Sequence, residues 1–382
     1  MAADELDRIA EPWCRAAFAL TGEIEPFDTH THIGQNDPDG YRQTPAELIA
    51  GLDPIGARAL TFPMHEPDGY PAANDFAIAT AAESSGRLAA LARIDPRADA
   101  LAEARRCLDA GAAGFKFHPR AEGFGLDEPG VDAVVELASE ARAPVLIHAG
   151  RGIPALGENA IELADRHPGA RLILAHAAVS DLGWIWREVG ARENVFIDTS
   201  WWNPADMEAL FSLVPPGRIV WASDSPYGRP ALSLATHVRY AVEACVSRDG
   251  LVAIASTNIE RILSGEEPLD VGHAPGVGKD GEPSPRTEDP LLARVASHLT
   301  SAITAIASGG DPAESLSLAE LACETGADSP TAAVCASVLG VLEQAERLLG
   351  RPAAESEIRL PHGTQLVMHA ICVARTPSVP LP

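Results

Sequence analysis

An α/β fold, a (β/α)8 TIM barrel followed by a small all-α module, is what this sequence predicts, on three observations. Between residues 24 and about 265, eight short apolar or β-branched runs alternate with longer stretches rich in Ala, Leu, Glu and Arg. His30 to Asp224 is 194 residues across seven such units, about 28 per unit, enough for a strand, a helix and two loops. Beyond a stretch dense in Gly and Pro, apolar residues recur at helical spacing instead.

Residues 1–23 read as an N-terminal helical extension. Its start, MAADELDRIAEPW, is acidic where an export signal is basic and then apolar, so no export is inferred and the cytoplasm is the expected compartment. The barrel occupies 24–265. Its strands are expected at 24–32, 57–64, 88–94, 113–118, 145–148, 171–176, 195–199 and 218–224. Helices are expected at 44–51, 73–84, 98–110, 130–141, 157–167, 181–191, 204–214 and 230–246, many opening after Asp, Thr, Pro or Gly. Eight units close a barrel rather than an open sheet. Residues 266–290 carry Gly, Pro and charge without periodicity and read as a linker. In 291–382, a helical module, Leu291, Leu292, Val295, Leu299, Ile303 and Ile306 mark one helix, with others near 316–324 and 331–349. His298, His362 and His369 share no ligand spacing there and read as surface or packing residues, as do Trp184 and Trp186 early in a barrel helix.

Composition narrows the function. With 382 residues, 46% of them hydrophobic, the chain has material for a large core, and no apolar run approaches the roughly 18 to 20 residues of a membrane helix. A net charge of −25 argues against a nucleic-acid partner and favours a small-molecule substrate. The six cysteines form no C-x-x-C and no pairing rhythm, which excludes a zinc knuckle or a disulfide framework as the reading. Of 29 basic side chains only Lys116 and Lys279 are lysine, so Lys116, inside a core-like segment, invites a reason specific to an amine.

The chemistry gathers where a barrel keeps its active site, at the C-terminal ends of the strands. Those ends carry His30 and His32, then Lys116 and His118, His148, His176 and Asp224. Five of the twelve histidines fall in this register, a convergence that single packing histidines do not produce. Imidazole and carboxylate suit a borderline divalent cation such as zinc, manganese or iron. Such a cation lowers the pKa of its water, and a neighbouring carboxylate, here Asp224, accepts the proton and returns it. Asp28, His30 and His32 at i, i+2 and i+4 share a face of a regular strand, with Asp28 read as a supporting or packing group. Residues just past the strand ends shape the pocket: Met64, His65 and Tyr70, Arg120, Arg151, Trp201 and Trp202, then Tyr227 and Arg229. The arginines suit an anionic substrate group and the tryptophans suit a ring.

FDTHTHIG, PVLIHAG, LILAHAA, ASDSPYG and TNIERIL together resemble the amidohydrolase superfamily, in its amidohydrolase-related branch, over about residues 24–265. The resemblance implies a distorted barrel with one or two divalent ions, zinc first, manganese or iron otherwise. It implies that His30, His32, His148 and Asp224 hold the more buried ion. Asp224 then takes the proton from the bound water, and His176 is either a ligand of a second ion or an acid/base residue. In two-metal members resembling this chain, a carboxylated lysine at the position of Lys116 bridges both ions; one-metal members, decarboxylases among them, need no bridge. A free Lys116 binds a substrate carboxylate instead, or faces solvent.

Three functions follow. The first is a hydrolase acting on an amide, ester, lactone or phosphoester. The second is a one-metal non-oxidative decarboxylase or hydratase of an aromatic or unsaturated acid, and the third a catalytically inactive scaffold. The C-terminal helices are equally compatible with a homo-oligomer, a lid, or docking to a partner.

Overall fold

The computed structural model describes residues 2–350 and 362–382. Eight parallel strands follow one another in chain order: β1 (Phe27–Ile33), β2 (Arg58–Pro63), β3 (Leu88–Arg93), β4 (Gly114–Phe117), β5 (Pro144–Ile147), β6 (Arg171–Leu174), β7 (Val195–Asp198) and β8 (Ile219–Val220). The barrel closes without a long eighth strand. Thr29 N–H donates to Trp221 O at 3.0 Å and His32 N–H to Ser225 O at 2.8 Å, so the segment after β8 completes the ring against β1. This TIM barrel is the architecture expected from the eight alternating runs, and every strand falls within three residues of its expected start.

Around and beyond it lie α1 (Ala2–Thr21), α2 (Pro45–Leu52), α3 (Pro71–Glu83), α4 (Ala100–Asp109), α5 (Pro119–Glu122), α6 (Pro129–Ala141), α7 (Leu156–Arg166) and α8 (Leu182–Ala191). They continue as α9 (Pro204–Leu213), α10 (Pro230–Glu243), α11 (Arg248–Val252), α12 (Asn258–Leu263), α13 (Pro290–Ala307), α14 (Ala313–Cys323), α15 (Ala332–Leu349) and α16 (His362–Arg375). Thr44 begins α2 with a full capping box, its hydroxyl accepting from Glu47 N–H while the Glu47 carboxylate accepts from Thr44 N–H. Inside the barrel, Leu60, Phe62, Leu91, Leu146, Ile173 and Phe196 interdigitate, and Ile259 and Ile262 of α12 close the N-terminal end against Phe27. A second apolar layer joins the outer strand faces to the helices.

Three local departures from the expected elements have physical causes. The ladder leaves β8 at Val220 because Trp221 N–H turns to Ile254 O at 2.8 Å, and Asp224 adopts a left-handed backbone, φ +61°. β6 ends at Leu174 because His176, Ala177 and Ala178 are left-handed too, φ +57°, +56° and +48°. Residues 266–290, expected as a linker, are tied to the barrel: Gly276 N–H donates to Ser212 O at 2.7 Å, and Arg187 pairs with Glu282 at 3.1 Å.

The C-terminal helices add α16 to the three marked by spacing. It packs on α15, α13 and α10. Arg239 of α10 donates to Thr376 Oγ1, Thr376 O and Pro380 O at 2.9 to 3.0 Å, and the Cys372 thiol donates to Thr236 O. Near the start of α10, Cys14 of α1 donates to Ala231 O. No helix among the described residues is long and apolar enough to cross a membrane.

Candidate active site

β1 is irregular where it matters. Its register with β2 shifts between Asp28 and Thr31, inserting one extra residue, so simple alternation does not place Asp28, His30 and His32. The Asp28 carboxylate accepts from Ser223 N–H at 2.9 Å and His30 N–H at 3.3 Å, fastening β1 to the chain after β8. Burial pushes its carboxyl up to about 7.

His30 and His32 both reach Asp224 Oδ1 through Nε2, at 3.2 and 3.1 Å. The other nitrogen of His30 meets Asp198 Oδ2 at 2.8 Å. A carboxylate only accepts, so Nδ1 carries the proton and Nε2 presents a lone pair to the centre. Asp198 Oδ1 accepts in turn from His176 N–H, Ser200 N–H and the Ser200 hydroxyl. The Nδ1 of His176 donates to Ser200 O at 2.8 Å, leaving its Nε2 as acceptor for His148 Nδ1 at 2.9 Å. That assignment makes His148 Nε2 a lone pair, and it is buried without a partner, as is His32 Nδ1.

The ligand atoms of His30, His176 and Asp224 lie within 4.8 Å of one another. Burial holds His30, His32 and His148 well below the ordinary imidazole range and lowers His176, so all four present neutral rings. Burial likewise raises Asp224 well above the usual carboxylate range. The ligand atoms of His30, His176 and Asp224 converge on one point and suit a divalent cation, which would take the His176 Nε2 lone pair in place of His148 Nδ1–H. Two of the three cluster members, His176 and Asp224, hold left-handed backbone, a local strain of about 1–3 kcal/mol each that the surrounding hydrogen bonds sustain.

Lys116 is wholly buried, its Nζ 3.5 Å from His30 Nε2 and 4.7 Å above the Phe62 ring. Burial brings its amine down to about 7. His118 stands apart from the cluster: its Nδ1 accepts from Ala121 N–H at 3.1 Å, capping α5, and its ring stacks on His148 at 3.8 Å.

Two adjoining cavities share His148, His176, Asp224, Arg120 and Tyr227 as lining. One, of about 490 Å³, is also lined by His30, His32 and His65. The other, of about 530 Å³, passes Arg151, Trp201, Trp202 and Arg229 and extends between α10 and α16. Arg151 is largely exposed, lying 5.5 Å over the Trp201 ring and 3.6 Å from Asp206. Arg229 is held by Asp7 of α1. Met64 is buried in the core and lines neither of these two cavities. Tyr70 turns its hydroxyl to Glu122. Trp186 is buried as a packing residue, whereas Trp184 is more than a third exposed.

Sequence reasoning missed Asp198 and Arg93. Asp198 stands in VFIDTS, at the end of a strand already placed, and Arg93 in LARID likewise. Strand-end position was the available signal. Arg93 is buried beside Lys116 in the β3–β4 register and donates to Glu122 Oε1 through Nε and Nη2, at 3.2 and 2.6 Å.

A family model described as amidohydrolase matches residues 27–265. Among solved structures, an amidohydrolase II is 18% identical over 63% of this chain and 100% of its own, with a TM-score of 0.51. A 2,6-dihydroxybenzoate decarboxylase from Rhizobium is 15% identical over 63% and 99%, with a TM-score of 0.50. A 5-carboxyvanillate decarboxylase from Novosphingobium aromaticivorans with bound manganese is 15% identical over 63% and 97%, also at 0.50. No curated protein matches. With the matched segment running from β1 to the end of α12 and containing every member of the His/Asp cluster, the chain belongs to the amidohydrolase family.

Proposed function

We propose that the chain is a metal-dependent lyase that releases carbon dioxide from an aromatic or unsaturated carboxylic acid. The observation that carries this reading is the single converging ligand set among the described residues, His30, His176 and Asp224, which suits one ion. The likeness in fold to two aromatic-acid decarboxylases supports it.

His30, His176 and Asp224 would hold the ion, with His32 and His148 beside them. When bound, a divalent cation supplies positive charge that polarises a substrate oxygen. Arg120, on the wall shared by both cavities, offers a fork for the carboxylate. Trp201 and Trp202 flank the ring and exclude water. Asp224, whose side chain is 21% exposed, delivers a proton to the carbon that loses its carboxylate. The carbon–carboxylate bond breaks, its electron pair takes that proton, carbon dioxide leaves, and solvent reprotonates Asp224.

A second reading, the two-metal hydrolase, is favoured by one observation. The Lys116 amine lies 3.5 Å from His30 Nε2, where carboxylation would convert it into a bridging ligand. One experiment separates the two. Protein prepared with manganese or zinc and bicarbonate is expected to hold one ion per chain, in wild type and Lys116→Met alike. It is expected to release carbon dioxide from 2,6-dihydroxybenzoate or 5-carboxyvanillate, with that activity lost in Asp224→Asn. Two ions falling to one or fewer in Lys116→Met, with turnover of an ester or lactone, would establish the hydrolase instead.

A further inference from the structure

We infer that the larger cavity receives a substrate whose ring is extended by an uncharged, apolar tail, and that α16 reads this tail. The inference rests on the aromatic-acid reading for the head of the substrate only. The cavity, about 530 Å³, exceeds what a single-ring acid at the ligand cluster needs and falls within the usual range for small-molecule sites.

Its far end is built by two helices. Leu232, Thr236 and Tyr240 line it from α10 at i, i+4 and i+8, one face of that helix. Gln365 and Met368 line it from α16 at i and i+3. α16 lies outside the family-matched residues, so this wall belongs to the chain's own C-terminal region.

The polar groups here are nearly all committed within the protein. The Thr236 hydroxyl donates to Leu232 O at 2.7 Å and meets His369 Nδ1 at 2.8 Å. The Gln365 amide accepts from Arg229 N–H and donates to Tyr227 O. His237 is engaged by Thr199 and Trp201 O. The guanidinium of Arg229 is neutralised by Asp7. No charge therefore remains at the far end to recognise a charged tail. The Tyr240 hydroxyl is buried away from the cavity surface, beside Cys372, and offers a ligand there no donor. Met368, unbranched and half-buried, is suited to moulding around such a tail.

The test uses the zinc-loaded full chain and four probes: benzoate, 4-pentylbenzoate, benzamide and 4-pentylbenzamide. Each buried methylene is worth about fourfold in affinity, so 4-pentylbenzoate is expected to bind about tenfold or more tighter than benzoate. In wild-type protein labelled at its four methionine methyls, the pentyl probe should shift the Met368 signal and benzoate should not. Met368→Trp should erase the pentyl gain while leaving benzoate unchanged. Equal affinities with and without the tail, an unmoved Met368 methyl, or no binding by any probe at millimolar concentration would overturn the inference. The amides separate it from the functional reading. A tail gain on benzamide, with amides bound as tightly as acids, keeps the tail subsite and removes the carboxylate head. Acids bound without a tail gain do the reverse.

Discussion

Asp198 determines which nitrogen of His30 faces the ligand cluster, and through Oδ1 it also holds His176 N–H and Ser200. One buried carboxylate thus orients two of the imidazoles around Asp224. Asp198→Asn keeps the volume but offers His30 a weaker acceptor and an amide that can turn the wrong way. We expect it to fold while losing about 10- to 100-fold in metal affinity, measured by competition with a chromogenic chelator. An unchanged affinity would relegate Asp198 to packing. At this scale the histidines were legible because imidazoles are rare and their strand-end register was visible, and Lys116 because lysine is nearly absent from the chain. Asp198 was not: aspartate is abundant, and what sets it apart is contact with His30, 168 residues away.

Among elements, β1 and α16 were the least legible. A bulge inserts a residue into FDTHTHIG without altering its apolar pattern, since all seven positions of the strand are buried whichever way they point. α16 follows a segment with no strong periodicity, and its role arises from packing on α10 rather than from its own sequence. His369 illustrates this. It is buried edge-on to Trp13 of α1, 4.5 Å between ring centres, with Arg239 of α10 the charged neighbour. Burial first, then that guanidinium, lowers its imidazole to about 3. Because the folded value lies below the unfolded value near 6.5, the unfolded chain binds the proton first as pH falls. The contribution is complete above about 6.5 and is lost as pH drops from there toward 3. Relative to His369→Phe, wild type is expected to lose about 2 kcal/mol between pH 7 and pH 5, measured by urea unfolding at each pH. A constant difference between the two proteins would refute this.

For the whole molecule, the alternation of runs with a period near 28 residues made the barrel legible, because a (β/α) unit has a nearly fixed length in residues. The packing of α16 on α10, which brings Gln365 and Met368 to the larger cavity, was not, since no local pattern encodes which helix meets which. A net charge of −25 and a centre of converging lone pairs predict a further property of the whole: a bound cation stabilises the folded chain against the unfolded one. Chelation should lower the melting temperature by several degrees in differential scanning fluorimetry, and added manganese or zinc should restore it, whereas magnesium at equal ionic strength should not. A melting temperature indifferent to chelator would count against an ion at this site. The seam where Thr29 and His32 meet Trp221 and Ser225 bears on time as well as shape. His30 leaves the ribosome long before Asp224, and no earlier stretch of chain can stand in for the segment that closes the ring. On the proposed ligand set, ion uptake would mark the completion of the barrel, and an unfinished or unclosed chain would remain without metal.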